Sequence, residues 1–94
     1  MKAIAHVVHA THLQIVARLK QADGHLRKVI EMIEGGRSCV ELAQQLHAIE
    51  KAVAAAKKTL IHDHIDHCLA HAAVDEPQDA AKAVAELKLL TKYL

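Results

Sequence analysis

Residues 37–76 contain neither glycine nor proline, and this uninterrupted stretch limits what the chain can fold into. Its apolar side chains recur at intervals of three and four residues, which is the spacing of one face of an α-helix. They are Cys39, Leu42, Leu46, Ile49, Val53, Ala56 and Leu60. The pattern predicts one continuous helix of about nine turns. Such a length favours a helical bundle or a coiled coil in which the helix packs against a partner.

An apolar stripe predicts a first helix at about residues 11–34. Its members are Val16, Leu19, Leu26, Ile30 and Ile33. Asp23 and Gly24 interrupt this stripe and predict a bend or a break within the helix. Gly35 and Gly36 are predicted to end it, because glycine readily adopts the left-handed conformation of a helix C-terminus.

Capping residues predict where the other two helices begin. Ser38 is a favourable N-cap, and Glu41 three residues later completes a capping box for a second helix at about 38–74. Pro77 suits the first turn of a third helix at about 78–93. The apolar positions of that helix are Val84, Leu87 and Leu90 or Leu94.

Length and composition favour one all-α domain spanning residues 1–94, with residues 1–10 as a flexible, His-bearing arm. The chain has no Phe, no Trp and a single Tyr, so its core must be aliphatic and rich in alanine, which suits closely packed helices. The formal net charge of +1 neither requires nor excludes a nucleic-acid partner. No secretory signal pattern or membrane-spanning run is present, so a cytoplasmic protein with reduced thiols is expected.

Metal-binding residue types are concentrated in residues 61–71, which read IHDHIDHCLAH, in a chain with nine histidines. His64 and Cys68 are four residues apart, so they share a helix face and can share one ion. Two ligands do not complete a site. Cys39 is the candidate for a further thiolate, but it precedes His64 by about 37 Å along a continuous helix. It therefore cannot reach the His64 of its own chain.

A second chain can supply the missing ligand if two copies of the long helix pack antiparallel. The crossing would fall near residues 51 and 52, in a run of small side chains that permits close approach: Ala52, Ala54, Ala55 and Ala56. This geometry predicts a dimer with two intersubunit sites, each built from Cys39 of one chain and His64 plus Cys68 of the other. The alternative is that Cys39 is merely a small apolar residue on the helix stripe.

Several motifs together carry a family resemblance. RLKQADGHL is followed by a cysteine that opens the second helix, then by QQLHA, and then by a histidine and a cysteine spaced as H-x-x-x-C. Over roughly residues 17–73 the sequence resembles the copper-, nickel/cobalt- and formaldehyde-responsive bacterial repressors (the CsoR/RcnR/FrmR family). The resemblance implies a disc-shaped tetramer, a dimer of antiparallel dimers, that represses a metal-efflux operon and leaves DNA when metal binds. It also implies Cys39, His64 and Cys68 as ligands.

The resemblance extends to the choice of metal. In nickel- and cobalt-responsive members an N-terminal histidine adds a ligand, which implies His6 here, with His9 as a rival. Ni(II) or Co(II) is the expected effector, because imidazole ligands and higher coordination numbers suit these ions. Cu(I) is the alternative, since the Cys–His–Cys trio also matches the copper-responsive branch.

Operator DNA and further copies of the chain are the expected partners. No helix-turn-helix, zinc-finger or basic-zipper pattern is present. Basic residues on the first two helices, repeated in a tetramer, instead predict weak phosphate contacts that sum to a salt-dependent affinity. The resemblance favours four of them as the contacting residues: Arg18, Lys20, Lys57 and Lys58. Asp23 stands where many family members carry arginine, and Glu50 stands where several do.

Two readings of another class remain open. The first is a metal-binding protein without a DNA role, and the second is a thiol-redox protein that links Cys39 to Cys68 of a partner chain. No phosphate-binding loop and no pairing of a metal with a general base is present, so neither an enzyme nor a small-molecule substrate is expected, and no membrane partner is expected.

Overall fold

The structure, a computed structural model, describes residues 10–72 and 77–94, with side-chain surroundings described for 11–67 and 81–94. Regular structure in these ranges is entirely helical. The elements are α1 (Ala10–Glu34), α2 (Cys39–Ala72) and α3 (Pro77–Leu90), followed by a 3-10 turn at Thr91–Tyr93. For the described residues, the prediction of an all-α chain with three helices is confirmed. No helix in these ranges is both long enough and apolar enough to cross a bilayer.

The interruption expected within α1 does not occur. The helix runs through Asp23 and Gly24 to Glu34 without a break. One glycine inside a helix costs only about 1 kcal/mol relative to alanine. That is too little to end α1 here, because Ala22 before Gly24 and Val29 after it are both buried. The Asp23 carboxylate also lies 3.3 Å from Nη2 of Arg27, an i,i+4 pair that helps to keep this turn helical.

Gly36 ends α1 in the way that its sequence predicts. Its φ is +79°, in the left-handed region that other residues rarely adopt. The Gly36 N–H donates to the Ile33 carbonyl and the Arg37 N–H donates to the Met32 carbonyl, each at 3.1 Å. These two bonds form a Schellman motif, which satisfies carbonyls that the end of the helix leaves without intrahelical donors.

The third helix begins at Pro77. Proline has no N–H, but N–H groups in the first turn of a helix have no intrahelical acceptor, so no hydrogen bond is lost. It ends at Leu90, earlier than the predicted residue 93, because the last residues tighten into the 3-10 turn. Residues 73–76, which contain the predicted break at Asp75 and Glu76, lie outside the described residues.

The chain divides into two compact units, residues 1–57 and 58–94, and α2 contributes to both. In the first unit, buried apolar residues recur every seven positions on each helix, or about every two turns. They are Ile15, Ala22 and Val29 on α1, and Ile49 and Ala56 on α2. A hydrogen bond of 2.6 Å between His25 Nε2 and Gln45 Oε1 also joins the two helices. In the second unit Ile61 is the most deeply buried described side chain. The single-domain organisation stays a prediction.

The apolar stripes predicted from the sequence are only partly the buried ones. All five residues of the predicted α1 stripe are exposed, to between 42% and 53%, and the buried residues lie on the neighbouring stripe. On α2, Ile49 and Ala56 are buried but Leu46, Val53 and Leu60 are exposed. The reason is that each helix has an apolar surface wider than one neighbouring helix covers. On α3, Val84 is similarly exposed, as is Leu94 beyond it.

Truncation of Ile15 should identify which of these stripes forms the core. Ile15 is 6% exposed, so we expect Ile15→Ala to lower the free energy of unfolding by about 2–5 kcal/mol, because it leaves a cavity. Leu13 is 67% exposed on the same helix, and Leu13→Ala should change stability by about 0.5 kcal/mol or less. Urea unfolding followed by circular dichroism compares the two. Equal losses would contradict the assignment of the core.

Candidate metal centre and DNA-contacting surface

Cys39 is the first residue of α2 and carries a free, exposed thiol. The preceding residue caps the helix, since the Glu41 N–H donates to Ser38 Oγ at 3.2 Å. Only this half of the predicted capping box forms. The Glu41 carboxylate instead accepts two hydrogen bonds from Arg37, at 3.2 Å from Nε and 2.6 Å from Nη2. The helix start that positions Cys39 is therefore fixed by a cap and an adjacent ion pair.

The Arg37–Glu41 pair shifts both of its members toward their charged forms. Hydrogen bonds from Arg37 lower the pKa of the Glu41 carboxyl, and the hydrogen bonds and charge of Glu41 raise the pKa of Arg37. Both groups are exposed, so the pair orients the turn and adds little to stability.

His64 on α2 is held by a carboxylate of α3. Its Nε2 lies 2.6 Å from Oε1 of Glu86, and the two side chains are 38% and 54% exposed. Because a carboxylate oxygen accepts, Nε2 carries the hydrogen of this bond, and a neutral imidazole then has its lone pair on Nδ1. Histidines that bind metals in proteins are commonly oriented in this way, with the second ring nitrogen donating to a carboxylate.

Glu86 is absent from the ligand set predicted from sequence. It is 22 residues from His64 and belongs to a different helix, so no helical spacing rule connects the two residues. The available signal was weak. Glu86 directly precedes Leu87, one of the half-buried residues of α3, and therefore lies at the edge of the face that this helix buries.

The other predicted ligands are only partly described. Cys68 lies one turn after His64 in α2, but its side chain is outside the described residues, and so are His6 and its rival His9. Among the described residues, no group of three His, Cys, Asp or Glu side chains is arranged to hold a metal.

The four predicted DNA-contacting residues are all exposed. Arg18 and Lys20 lie on α1, whereas Lys57 and Lys58 lie on α2. Arg18 also borders a groove between α1 and α2 of about 350 Å³. The groove is lined by Arg18, Gln21, Ala22, His25, Ala52 and Ala55.

The two acids that depart from the family pattern have cationic or imidazole neighbours on their own helices. Asp23 pairs with Arg27 as described above, and the Glu50 carboxylate lies 3.8 Å from Nδ1 of His47. The Asp23 charge is thus compensated locally, and that of Glu50 is compensated when His47 is protonated. Neither acid lines the groove that contains Arg18.

Comparisons with a family model and with known proteins point to the same family. The family model described as metal-sensitive transcriptional repressor matches residues 11–92. The copper-sensing transcriptional repressor CsoR of Bacillus subtilis (strain 168) is 33% identical over 86 residues, covering 92% of this chain and 83% of that protein. No solved structure matches the chain significantly.

Two mycobacterial proteins are also similar. The copper-sensing transcriptional repressor CsoR of Mycobacterium ulcerans (strain Agy99) is 36% identical over 73 residues, covering 69% of this chain and 62% of that protein. The chain thus spans less than two thirds of that relative. The copper-sensing transcriptional repressor RicR of Mycobacterium tuberculosis (strain ATCC 25618 / H37Rv) is 28% identical over 69 residues, which cover 73% of this chain and 72% of that protein.

These relatives are described as transcriptional repressors, in agreement with the expected non-enzymatic role, and as copper-sensing. A specific closeness to nickel- or cobalt-responsive members is not confirmed. The extent of the family match, over 11–92 of the 94 residues, decides the broader assignment: this chain belongs to the metal-sensitive transcriptional repressor family.

Proposed function

We propose that this protein is a Cu(I)-responsive transcriptional repressor that binds operator DNA without metal and releases it when Cu(I) binds. The observation that carries the proposal is the His64–Glu86 hydrogen bond, which leaves the Nδ1 lone pair of a neutral His64 ring available for a metal ion. The copper-sensing relatives support the choice of metal. They favour Cu(I) over the Ni(II) or Co(II) expected from the His-bearing arm.

The chemistry of the donor set fits this choice. Two thiolates and one imidazole form a soft ligand set, which favours Cu(I) over harder divalent ions. In the proposed site Cys39 of one chain and His64 and Cys68 of another hold the ion, and Glu86 keeps the His64 ring in the required orientation. Bound Cu(I) supplies a bridge between two α2 helices, and no reaction is required of it.

The exposed apolar stripes support assembly of two antiparallel chains, and of dimers into a tetramer. On α2, an open apolar cavity of about 570 Å³ is lined by residues on both sides of the predicted crossing point at 51 and 52. The lining residues are Leu46, Ile49, Glu50, Val53 and Ala54. A second copy of the same helix is the occupant we propose for this surface, because an antiparallel pair presents the same residues to each other at its crossing.

A metal-binding role without DNA binding is less well supported. It was suggested by Asp23 and Glu50, but the first is paired with Arg27, the second lies beside His47, and both are outside the groove bordered by Arg18. Their negative charge therefore does not oppose DNA at that position.

Operator release provides the test of the proposed function. Fluorescence anisotropy should show that metal-free protein binds a duplex from the promoter region of its own gene at low salt. One equivalent of Cu(I) per chain should lower that affinity about 5–150-fold, the range of typical allosteric coupling. The same titration with Ni(II) should give a smaller effect. An absence of binding, or binding that Cu(I) leaves unchanged, would contradict the proposal.

A further inference from the structure

Two charged residues, Glu50 and Lys57, interrupt the exposed apolar stripe of α2. They alternate with two apolar residues at steps of four, three and four positions, so all four side chains project from one face of the helix. The apolar members are Leu46 and Val53, which are 39% and 44% exposed. Glu50 lines the same open cavity as both of them. Any helix that covers this stripe therefore brings both charges into its interface.

In the described part of the chain, neither charge has a hydrogen-bonded partner of opposite charge. The Glu50 carboxylate lies 3.8 Å from Nδ1 of His47, which is beyond hydrogen-bond distance. Lys57 takes part in none of the ion pairs between described residues. Glu50 and Lys57 are about 10 Å apart along the helix axis, and helical side chains all lean toward the N-terminus, so these two do not approach each other. Both charges are thus available to a second chain.

The register of the proposed antiparallel dimer brings these charges together. When Cys39 is level with the partner's His64, Glu50 is level with the partner's Val53. The partner's Lys57 then lies one turn, or about 6 Å, further along the axis. Because the two helices run in opposite directions, Glu50 leans toward the partner's Lys57, and the partner's Lys57 leans toward Glu50. The two side chains therefore converge.

The same charges disfavour a parallel arrangement. A parallel pair in register places Glu50 against the partner's Glu50, and Lys57 against the partner's Lys57. Like charges brought together in an interface repel each other, whereas the antiparallel pair matches each acid with a base. Charge complementarity therefore selects an antiparallel copy of α2 as the occupant of this surface.

We propose that Glu50 of each chain forms an ion pair with the partner's Lys57, and that this pair fixes the register in which Cys39 meets the partner's His64. The proposal rests on the proposed function, because it takes the antiparallel dimer as given, and it deepens that function by naming the residues that select the partner. Each dimer contains two such pairs, one on either side of the crossing. Ion pairs of this kind act mainly on the choice and alignment of partners. Lys57 then serves the dimer, whereas Lys58 projects from a different face of α2.

Glu50→Lys and Lys57→Glu, studied separately and mixed in equal amounts, test the pair. Alone, each variant has like charges at both positions of its dimer, so we expect its dissociation constant in sedimentation equilibrium to rise at least about tenfold. In a mixed dimer the two introduced charges face each other and the two native charges face each other, so both pairs are again attractive. The mixture should therefore associate as tightly as the wild type and bind one Cu(I) per chain.

Lys58→Glu is the matched control for Lys57→Glu. It makes the same change of charge at an exposed neighbouring lysine of α2, and its mixture with Glu50→Lys should stay weakly associated. If a variant alone does not fold, the mixture and a chain carrying both Glu50→Lys and Lys57→Glu still decide, because both restore opposite charges.

The results separate this inference from the proposed function. If the mixture of Glu50→Lys and Lys57→Glu associates no more tightly than the separate variants, while the wild type dimerises and releases DNA with Cu(I), only the ion pair is overturned. Equal rescue by Lys58→Glu would also overturn it, since net charge alone would then explain the effect. A wild-type protein that stays monomeric at micromolar concentration would overturn both the pair and the proposed intersubunit site.

Discussion

Dimers assembled from two inactive variants, Cys39→Ala and Cys68→Ala, are expected to recover Cu(I) binding that neither variant shows alone. In the proposed arrangement, a dimer of either variant lacks one thiolate in both of its intersubunit sites. In a mixed dimer, however, the Cys68→Ala chain supplies Cys39 while the Cys39→Ala chain supplies His64 and Cys68. One site is then complete and the other lacks both thiolates. The ultraviolet charge-transfer absorption of the thiolate–Cu(I) bond should therefore reappear.

The expected recovery can be stated in amount. If the two variants are unfolded together and refolded in equal proportion, about a quarter of the wild-type sites should be intact, because half of the twofold-symmetric dimers are mixed. His47→Ala is a suitable control, since His47 is an exposed α2 imidazole outside the proposed ligand set and should leave Cu(I) binding unchanged. Absence of recovery on mixing would mean that the ligands do not come from two chains.

The long helix was predictable because its signals are local. Absence of glycine and proline, a three-four apolar spacing and a good N-cap at Ser38 all act within a few residues, and α2 begins one residue after that cap. Gly36 is a similar case, because the left-handed conformation at a helix C-terminus is a local requirement that glycine meets more easily than other residues. Gly24 shows the limit of local reasoning, because tertiary packing overrides the modest cost of one glycine.

The choice of buried stripe was not predictable in the same way. Ile15, Ala22 and Val29 are no more apolar than the neighbouring stripe of α1, so periodicity gives equal weight to both. Which stripe is buried within the chain, and which is left exposed, depends on where α2 lies against α1. The exposed stripe of valines, leucines and isoleucines is the kind of surface that an oligomer covers.

The residues of the candidate site also differ in whether the sequence alone identifies them. Spacing along one helix identifies Cys39, His64 and Cys68 as candidate ligands. The length of that helix separates Cys39 from the other two within one chain. Glu86 required a contact between two helices, and the Arg18 groove required two facing alanines on α2. Sequence pattern therefore identifies candidate ligands, whereas the groups that orient them become visible only when helices are packed.

Replacement of Glu86 should weaken Cu(I) binding although Glu86 contacts no metal in the proposed site. Glu86 accepts the hydrogen bond of His64 Nε2, which fixes the orientation of the ring. We expect Glu86→Ala to lower Cu(I) affinity about 10–100-fold, the usual cost of losing such a partner. Glu86→Gln keeps an accepting oxygen but not the charge, so its loss should be smaller. Glu34→Gln removes an exposed carboxylate on α1 and should have no effect.

Two measurements on the Glu86 variants separate ligand orientation from transmission to DNA. Competition with a Cu(I) chelator gives the metal affinity, and anisotropy with the promoter duplex at saturating Cu(I) gives the remaining effect on operator binding. Since His64 belongs to α2 and Glu86 to α3, their bond is a route by which ligation engages a second helix. If it carries the signal, Glu86→Ala saturated with Cu(I) should retain most of the metal-free operator affinity. Wild-type Cu(I) affinity in Glu86→Ala would show that the bond has no part in the site. Weaker metal binding with full release would confine Glu86 to orienting His64.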